Sequence, residues 1–234
     1  MPEPQSHMKE FILSGRGPNT MTIESLGTLV RFLEQNAEAP ILIFGENNAF
    51  SAGLDIDALI QGDPRQVSDA IEQAAEKVFL HPAPVVAAVN GHAIAGGCLL
   101  LQACDLRLCD PDARIRIGMP GVALGINYPP KLMRILQYRI PRHSIDRVLL
   151  EADNHAPAQA LALGLVDELA DDVIASARER LKKLAGYPAQ AYREAKLTLR
   201  RAVLDIPEAE RKHFDAQFRQ HWGADSLRTH RRDK

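Results

Sequence analysis

The sequence has few of the residues that mark specialised classes of protein. Its three cysteines, Cys98, Cys104 and Cys109, are an odd set with no CxxC pair and no histidines at ligand spacing, so neither a disulfide framework nor a metal site is predicted. A reduced, cytoplasmic protein is the better interpretation. No apolar run reaches the roughly 18 residues that span a bilayer, and the polar N-terminus MPEPQSHMKE lacks a signal pattern.

The charge balance also excludes two kinds of partner. Lysine and arginine number 28 against 30 acidic residues, which gives a net charge of −2 and a pI near 6.4. A chain with this balance has no electrostatic attraction for nucleic acid or for an anionic membrane surface. We therefore expect no nucleic-acid partner and no membrane partner.

What is present is the composition of a globular protein, with 46% hydrophobic and 25% charged residues in 234. A chain of this length buries roughly 70% of its unfolded surface without a disulfide or a metal.

Short apolar runs at 40–45 and 84–89 are typical of strands buried on both faces. A helical pattern over 23–36 precedes the first run, and another follows it to about Leu80. Strand, helix and strand with short links predict a right-handed parallel crossover.

Beyond the second strand we predict an apolar helix over 92–103 and short strands at 106–109 and 114–118. From Pro129 onward the pattern is mostly helical. We therefore divide the chain into an α/β core, 9–153, and a C-terminal helical region, 154–234. The predicted helices of the second half lie at 130–137, 144–151, 157–163, 173–184, 187–204 and 208–222.

Two segments share one design, in which a buried strand ends, small residues turn and a helix begins. They are Ser51-Ala52-Gly53-Leu54 and Ala95-Gly96-Gly97. Amides at the start of a helix have no intrahelical acceptor, and glycine lets a ligand approach the main chain. If the turns face each other across the sheet edge, the N–H groups of Leu54 and Gly96 could stabilise one oxyanion. The alternative is that the glycines only permit tight packing.

Four motifs give a family resemblance: AFSAGLDI at 49–56, PVVAAVNGHAIAGG at 84–97, Cys104-Asp105, and ALALGLVD at 160–167. In order and spacing they resemble the crotonase superfamily, the enoyl-CoA hydratase/isomerase family. The resemblance implies a spiral of ββα turns with a C-terminal helical region that builds homotrimers, often paired into hexamers. It implies an acyl-CoA thioester as substrate, with CoA part of that substrate and no separate cofactor.

The resemblance also assigns roles to residues of this sequence. The amides of Leu54 and Gly96 would polarise the thioester carbonyl and stabilise its enolate. The main chain around Ala52 and Ile56 would hold the adenine end of CoA. Arg16, in the loop after the first strand, is the candidate for a contact with a CoA phosphate, or else is a solvated surface charge.

Family hydratases carry two catalytic glutamates, and this chain has neither. The matching positions are Leu99 and Gly121. Hydration needs a base and an acid, each worth about 10²–10⁴-fold, so we expect very low hydratase activity. The nearby Tyr128 matches a tyrosine of methylmalonyl-CoA decarboxylases, and decarboxylation needs enolate stabilisation but no strong base. The alternative for Tyr128 is packing at the base of the loop with its hydroxyl in water.

Three further residues have competing interpretations. His92 is the only histidine inside a family motif, and we favour a hydrogen-bonded structural role for it. Trp222 is either part of a cover over the pocket or a packing anchor, with His221 as its exposed neighbour. The glycine at 121 also resembles the dihydroxynaphthoyl-CoA synthase branch, some of whose members use bicarbonate as a base.

The resemblance therefore implies an enzyme of the enoyl-CoA hydratase/isomerase family, a lyase or isomerase of fatty acid metabolism, that works through a stabilised enolate. With both glutamates missing, decarboxylation or another enolate reaction is favoured over hydration. One alternative is a catalytically silent acyl-CoA binding protein. Another is an enzyme that acts on an acyl-carrier-protein thioester.

Overall fold

The computed structural model describes residues 8–222, in which short strands alternate with helices. The strands are β1 (Lys9–Leu13), β2 (Ile41–Gly45), β3 (Ala49–Ser51), β4 (Val85–Val89), β5 (His92–Ile94), β6 (Leu106–Cys109), β7 (Ile117–Gly118), β8 (Asn154–His155) and β9 (Glu168–Leu169). The helices are α1 (Arg16–Asn19), α2 (Ile23–Gln35), α3 (Ile56–Gln61), α4 (Pro64–Phe79), α5 (Gly96–Ala103), α6 (Pro130–Arg139), α7 (Ile145–Leu150), α8 (Pro157–Ala162), α9 (Val173–Ala185), α10 (Ala189–Arg200) and α11 (Glu208–Trp222). Two 3₁₀ turns occupy Val122–Leu124 and Arg201–Leu204.

The strands form two sheets. The larger is parallel, in the order β1-β2-β4-β6-β9, and the smaller has the order β3-β5-β7-β8 with only β7 and β8 antiparallel. Three times within the described residues, at β2 and β3, at β4 and β5, and at β6 and β7, a strand of the larger sheet is followed by a strand of the smaller sheet and then by a helix. This repeat is the predicted spiral of ββα turns, so the predicted fold class is confirmed.

The central strands are apolar on both faces because helices cover both. In β2, Ile41 and Ile43 face the main core together with Leu29 of α2. Leu42 faces the opposite way and packs with Leu181 of α9. Side chains of a strand alternate between faces, so a strand between two helical layers is a continuous apolar run.

Three predicted boundaries are wrong. The predicted helix 92–103 is a strand, β5, followed by the shorter helix α5, because Ala95 has φ 51° and ψ −118° and stops any helix there. The helical stretch after the first turn is two helices, with Pro64 opening the second and the Asp63 carboxylate accepting the Arg65 N–H at its cap. The strand predicted at 114–118 shortens to β7.

The helical C-terminal region is fastened to the core by a buried ion cluster. The Asp105 carboxylate, between α5 and β6, lies 2.8 Å from Lys196 Nζ and 2.7 Å from Arg200 Nη1, both on α10. It also accepts the N–H of Val85 at 2.7 Å. Burial lowers the pKa of Lys196 to about 8, and the Asp105 carboxylate opposes that shift. The cluster therefore ties α10 to two strands of the larger sheet.

Two absences concern the described residues 8–222. No helix in this range is long and apolar enough to cross a membrane. No three of its histidine, cysteine and acidic side chains are grouped so that they could ligate a metal ion.

A buried histidine makes stability depend on pH. His81 is 3% exposed, and its Nε2 lies 2.9 Å from the carbonyl oxygen of Ala39. Burial lowers its pKa, with that hydrogen bond opposing the shift. The unfolded chain therefore takes up a proton as pH falls through about 6.5, before the folded chain does, and acid favours unfolding.

We expect the melting temperature to fall between pH 7.5 and pH 5.5, and to fall less in His81→Gln. Differential scanning calorimetry across this range measures the effect. His143→Gln, a change at an exposed histidine, is the matched control and should retain the full pH dependence. An undiminished pH dependence in His81→Gln contradicts the assignment.

Candidate active site

The two predicted turns meet in the structure, at the ends of neighbouring strands of the smaller sheet. Strands β3 and β5 are parallel partners, and each continues into one of the turns. Gly53 has φ +95°, and a Cβ placed on it would lie 3.0 Å from the nitrogen of Gly96 and 2.9 Å from the carbonyl oxygen of Ile94. The backbones of the two turns are therefore in direct contact.

The N–H groups of Leu54 and Gly96 are left available at this contact. The Met21 N–H donates to the Gly53 carbonyl, and the Asp55 N–H donates to the Met21 carbonyl, so the Leu54 N–H between them is not used. Gly96 is the first residue of α5, where an N–H has no intrahelical acceptor. In the described part of the chain, neither N–H donates to another protein group.

The second turn is strained. Ala95 has φ 51° and ψ −118°, a region that residues with a side chain rarely adopt. Such a conformation costs about 1–3 kcal/mol and persists only where the surroundings enforce it. Here the Ala95 N–H donates to Gly118 and the Ala95 carbonyl accepts the Leu99 N–H. These bonds fix the direction in which the Gly96 amide points.

An apolar cavity of about 330 Å³ opens at the two turns. Seven of the eight predicted site residues line it: Leu54, Gly96, Tyr128, Ala52, Ile56, Leu99 and Gly121. Arg16, the eighth, is exposed and borders a separate groove of about 470 Å³ between β1 and α2. That groove adjoins the first turn, because the Ala52 N–H donates to the Pro18 carbonyl.

No acidic, basic or histidine side chain is among the residues that line the described cavity. Leu99 is 2% exposed and presents only methyl groups, and Gly121 has no side chain. The three polar side chains of the wall belong to Tyr128, Asn154 and Trp222. The cavity can therefore hold an apolar group and an oxyanion, but its wall has no ordinary acid or base.

The side chain of Tyr128 is hydrogen-bonded to the loop that carries Gly121. Its hydroxyl accepts the Gly121 N–H at 3.0 Å and donates to the Met119 carbonyl at 3.2 Å. The residue is buried, and burial raises the pKa of the phenol, with the bond from Gly121 opposing the shift. A Cβ on Gly121 would overlap the phenol oxygen. The phenol thus fills the place where a side chain at position 121 would begin.

This overlap predicts strong coupling between positions 121 and 128. Gly121→Ala should lower the free energy of unfolding by about 1–3 kcal/mol, the usual cost of overpacking. The same change in a Tyr128→Ala background should cost much less, since the phenol is gone. Chemical denaturation of the four proteins in a double-mutant cycle measures the coupling energy, expected at about 1 kcal/mol or more. Additive changes would mean that the loop moves away from Tyr128 without cost.

The structure also places the three residues whose sequence interpretations competed. His92 lies outside the cavity, and its Nδ1 accepts the Arg116 N–H at 3.0 Å, in keeping with the favoured structural role. Trp222 is both a wall of the cavity and a packing anchor, with its Nε1–H donating to the Asn127 carbonyl at 2.8 Å. His221 is half-buried, not an exposed neighbour, and its Nδ1 lies 3.2 Å from the Gly125 carbonyl oxygen.

Sequence reasoning missed two contributors to the site. Ala95 carries the strain that directs the Gly96 amide, and no property of an alanine in the sequence indicates a positive φ. Asn154 lines the cavity because β8 pairs antiparallel with β7, next to Gly118. A two-residue strand has no hydrophobic pattern of its own, so that placement had no sequence signal.

Known proteins that are similar to this chain include enoyl-CoA isomerases and hydratases. The chain is 29% identical over 197 residues to "Enoyl-CoA delta isomerase 1, mitochondrial" of Rattus norvegicus, a match that covers 80% of this chain and 68% of the relative. The solved structure of human mitochondrial delta3-delta2-enoyl-CoA isomerase superposes with a TM-score of 0.84 at 25% identity, covering 94% of this chain and 90% of that one. An enoyl-CoA hydratase from Mycobacterium ulcerans gives a TM-score of 0.79 at 25% identity, covering 90% and 96%.

The family comparison covers almost the whole chain. The model of the family described as "Enoyl-CoA hydratase/isomerase" matches residues 18–229. This range contains both turns, every lining residue of the cavity and all of α11. The chain therefore belongs to the enoyl-CoA hydratase/isomerase family.

Proposed function

We propose that this chain binds an acyl-CoA thioester with its acyl group in the apolar cavity and stabilises the enolate of that thioester. The observation that carries the proposal is the contact between the two turns, with the N–H groups of Leu54 and Gly96 both available beside one cavity. Two such donors aimed at a developing oxyanion stabilise its negative charge, and losing one donor typically costs about 10²–10³-fold in rate.

The chemistry of the wall favours reactions that need no protein base. Hydration requires a group that activates water and a group that delivers a proton to carbon two. Leu99 and Gly121 supply neither, so hydration of crotonyl-CoA should be very slow. In a decarboxylation, the bond from carbon two to the carboxylate breaks, its electron pair enters the enolate, and CO₂ leaves. Water then supplies the proton to carbon two.

Tyr128 is the polar side chain that we propose as an assistant in this reaction. The proton of its hydroxyl is donated to the Met119 carbonyl. The phenol can therefore act only by accepting a hydrogen bond or by shaping the loop. The specific observation that favours the alternative, a silent acyl-CoA binding protein, is the lack of acidic, basic and histidine side chains in the described wall.

The test is to measure binding and turnover of three acyl groups in parallel, crotonyl, 3-enoyl and methylmalonyl, each as the CoA thioester and as the acyl-carrier-protein thioester. Release of CO₂ from methylmalonyl-CoA, reduced in Tyr128→Phe, supports the decarboxylase. Double-bond migration in the 3-enoyl-CoA supports an isomerase. Tight binding without turnover of any of them supports the silent binding protein. Activity only with the carrier-protein thioesters supports an enzyme that acts on an acyl-carrier-protein substrate. Fast hydration of crotonyl-CoA contradicts the prediction that this wall supplies no acid or base, and failure to bind any of the thioesters contradicts the proposed function.

We also propose a homotrimer or hexamer built through the C-terminal region and a cytoplasmic location. The oligomer is tested by light scattering on purified protein. A monomer at micromolar concentration contradicts that part of the proposal.

A further inference from the structure

The last helix presents a row of aromatic side chains to the core. Phe214, Phe218 and Trp222 are spaced four residues apart on α11 and so share one face. They pack with Leu59 and Val67 in a separate apolar cluster. Of the three rings in this described row, Trp222 alone reaches the wall of the acyl cavity.

Burial, ring stacking and a hydrogen bond fix Trp222 in that wall. The residue is 3% exposed. Its ring stacks on Phe218, with centroids 5.7 Å apart and planes 10° apart. Its Nε1–H donates to the Asn127 carbonyl in the loop that leads to Tyr128. The indole cannot swing away from the cavity without giving up the stacking and the hydrogen bond together.

The helix that carries the indole is itself tied to α4. The guanidinium of Arg65 lies 3.8 Å from the centroid of Phe218 and 2.8 Å from an oxygen of Asp215. At the other side, Arg134 of α6 pairs with Glu210 at 2.7 Å. These contacts hold the aromatic row against the core, so the wall that Trp222 forms is well supported.

The size of the cavity depends on this wall. Its volume of about 330 Å³ is at the lower end of the range of about 300–1,000 Å³ for small-molecule sites. Four of the other apolar lining residues, Leu59, Ile71, Leu99 and Leu132, are core residues at 1–2% exposure. Among the described lining residues, Trp222 has the largest side chain. It is also the only one of them that α11 contributes.

We infer that Trp222 sets the upper length of the acyl chain that this protein accepts, and that its ligands are thioesters of short to medium hydrocarbon acyl groups. The inference rests on the proposed function. The affinity of a ligand rises about fourfold for each of its methylene groups that moves from water to an apolar wall. The gain stops where the chain meets a side chain that cannot move, which here is the indole.

The experiment measures the affinity of saturated butyryl-, hexanoyl-, octanoyl-, decanoyl- and dodecanoyl-CoA by calorimetry. In the wild type, affinity should rise about fourfold per methylene and then level off or fall. In Trp222→Leu the limit should move to a chain at least two carbons longer, with little change for butyryl-CoA. Trp222→Phe, which keeps a ring in the row, should shift the limit less.

Phe214→Leu is the matched control, since Phe214 belongs to the same row and the same cluster but not to the cavity wall. It should lower the melting temperature about as Trp222→Leu does and leave the length limit unchanged. In the wild type, the emission of this single tryptophan should shift most for the chain at the limit.

The outcomes separate this inference from the function beneath it. If the wild type binds acyl-CoA and Trp222→Leu and Trp222→Phe keep the wild-type limit, the inference is wrong and the proposed function stands. If Phe214→Leu moves the limit equally, the effect comes from loosening α11 and the inference is also wrong. If no acyl-CoA of any length binds to the wild type, the proposed function fails.

Discussion

Replacement of Gly53 by alanine should lower kcat/KM for the thioester that this protein turns over by about 10²–10³-fold. Gly53 has φ +95°, which disfavours any side chain, and its new Cβ would lie 2.9 Å from the Ile94 carbonyl oxygen and 3.0 Å from the Gly96 nitrogen. Both neighbours are backbone, so one turn has to move away from the other. The N–H groups of Leu54 and Gly96, which we propose to stabilise one oxyanion, would then move apart.

Gly17→Ala is the control for this variant. Gly17 also has a positive φ, +52°, but a Cβ there meets no atom within 4 Å. It therefore introduces backbone strain without a clash, and activity should stay within a few-fold of the wild type. Steady-state kinetics with folding checked by circular dichroism measures both variants. Full activity in Gly53→Ala would show that the contact between the turns is not needed for catalysis.

The largest effect on stability is expected from Asp105→Asn. This change keeps the shape of the side chain but leaves Lys196 and Arg200, which are 5% and 7% exposed at their side chains, without a counter-charge. Removing the charge of one partner of a buried ion pair lowers the free energy of unfolding by about 3–5 kcal/mol. For a chain of this length, that lowers the melting temperature by roughly 10 °C.

Glu34→Gln provides the comparison, because Glu34 pairs with Lys77 at 2.6 Å where both side chains are about half exposed. Such a pair is worth about 0–1 kcal/mol, so the midpoint of urea unfolding should barely change. Asp105→Asn should also expose α10 to proteolysis before the sheets unfold, since the cluster joins that helix to β4 and β6. Equal midpoints in the two variants would show that the cluster contributes no net stability.

Much of the fold follows from local patterns. The helical spacing of Leu26, Leu29, Val30 and Leu33 predicted α2, and these four residues are buried in the structure. The apolar runs of β2 and β4 were equally clear, because a strand between two helical layers has no polar face. The family motifs then placed these elements in the correct order.

The two turns are in contact in the structure, but they follow different strands from the predicted ones. The predicted strands lie at 40–45 and 84–89, whereas the turns follow β3 and β5, which are only three residues long. A three-residue strand shows no periodicity, and β5 was predicted as part of a helix. The two turns nevertheless lie at one edge of a sheet, because β3 and β5 are themselves parallel neighbours.

By itself, the sequence determined the family, the spiral of strands and helices, and the absence of carboxylates at positions 99 and 121, because each depends on residue identity and spacing. The tertiary structure decided which distant residues complete the site. Tyr128 occupies the room beside Gly121, and Trp222, 94 residues further along the chain, forms part of the cavity wall. Contacts between residues far apart in the chain depend on how helices pack, and that packing has no local pattern from which it could be read.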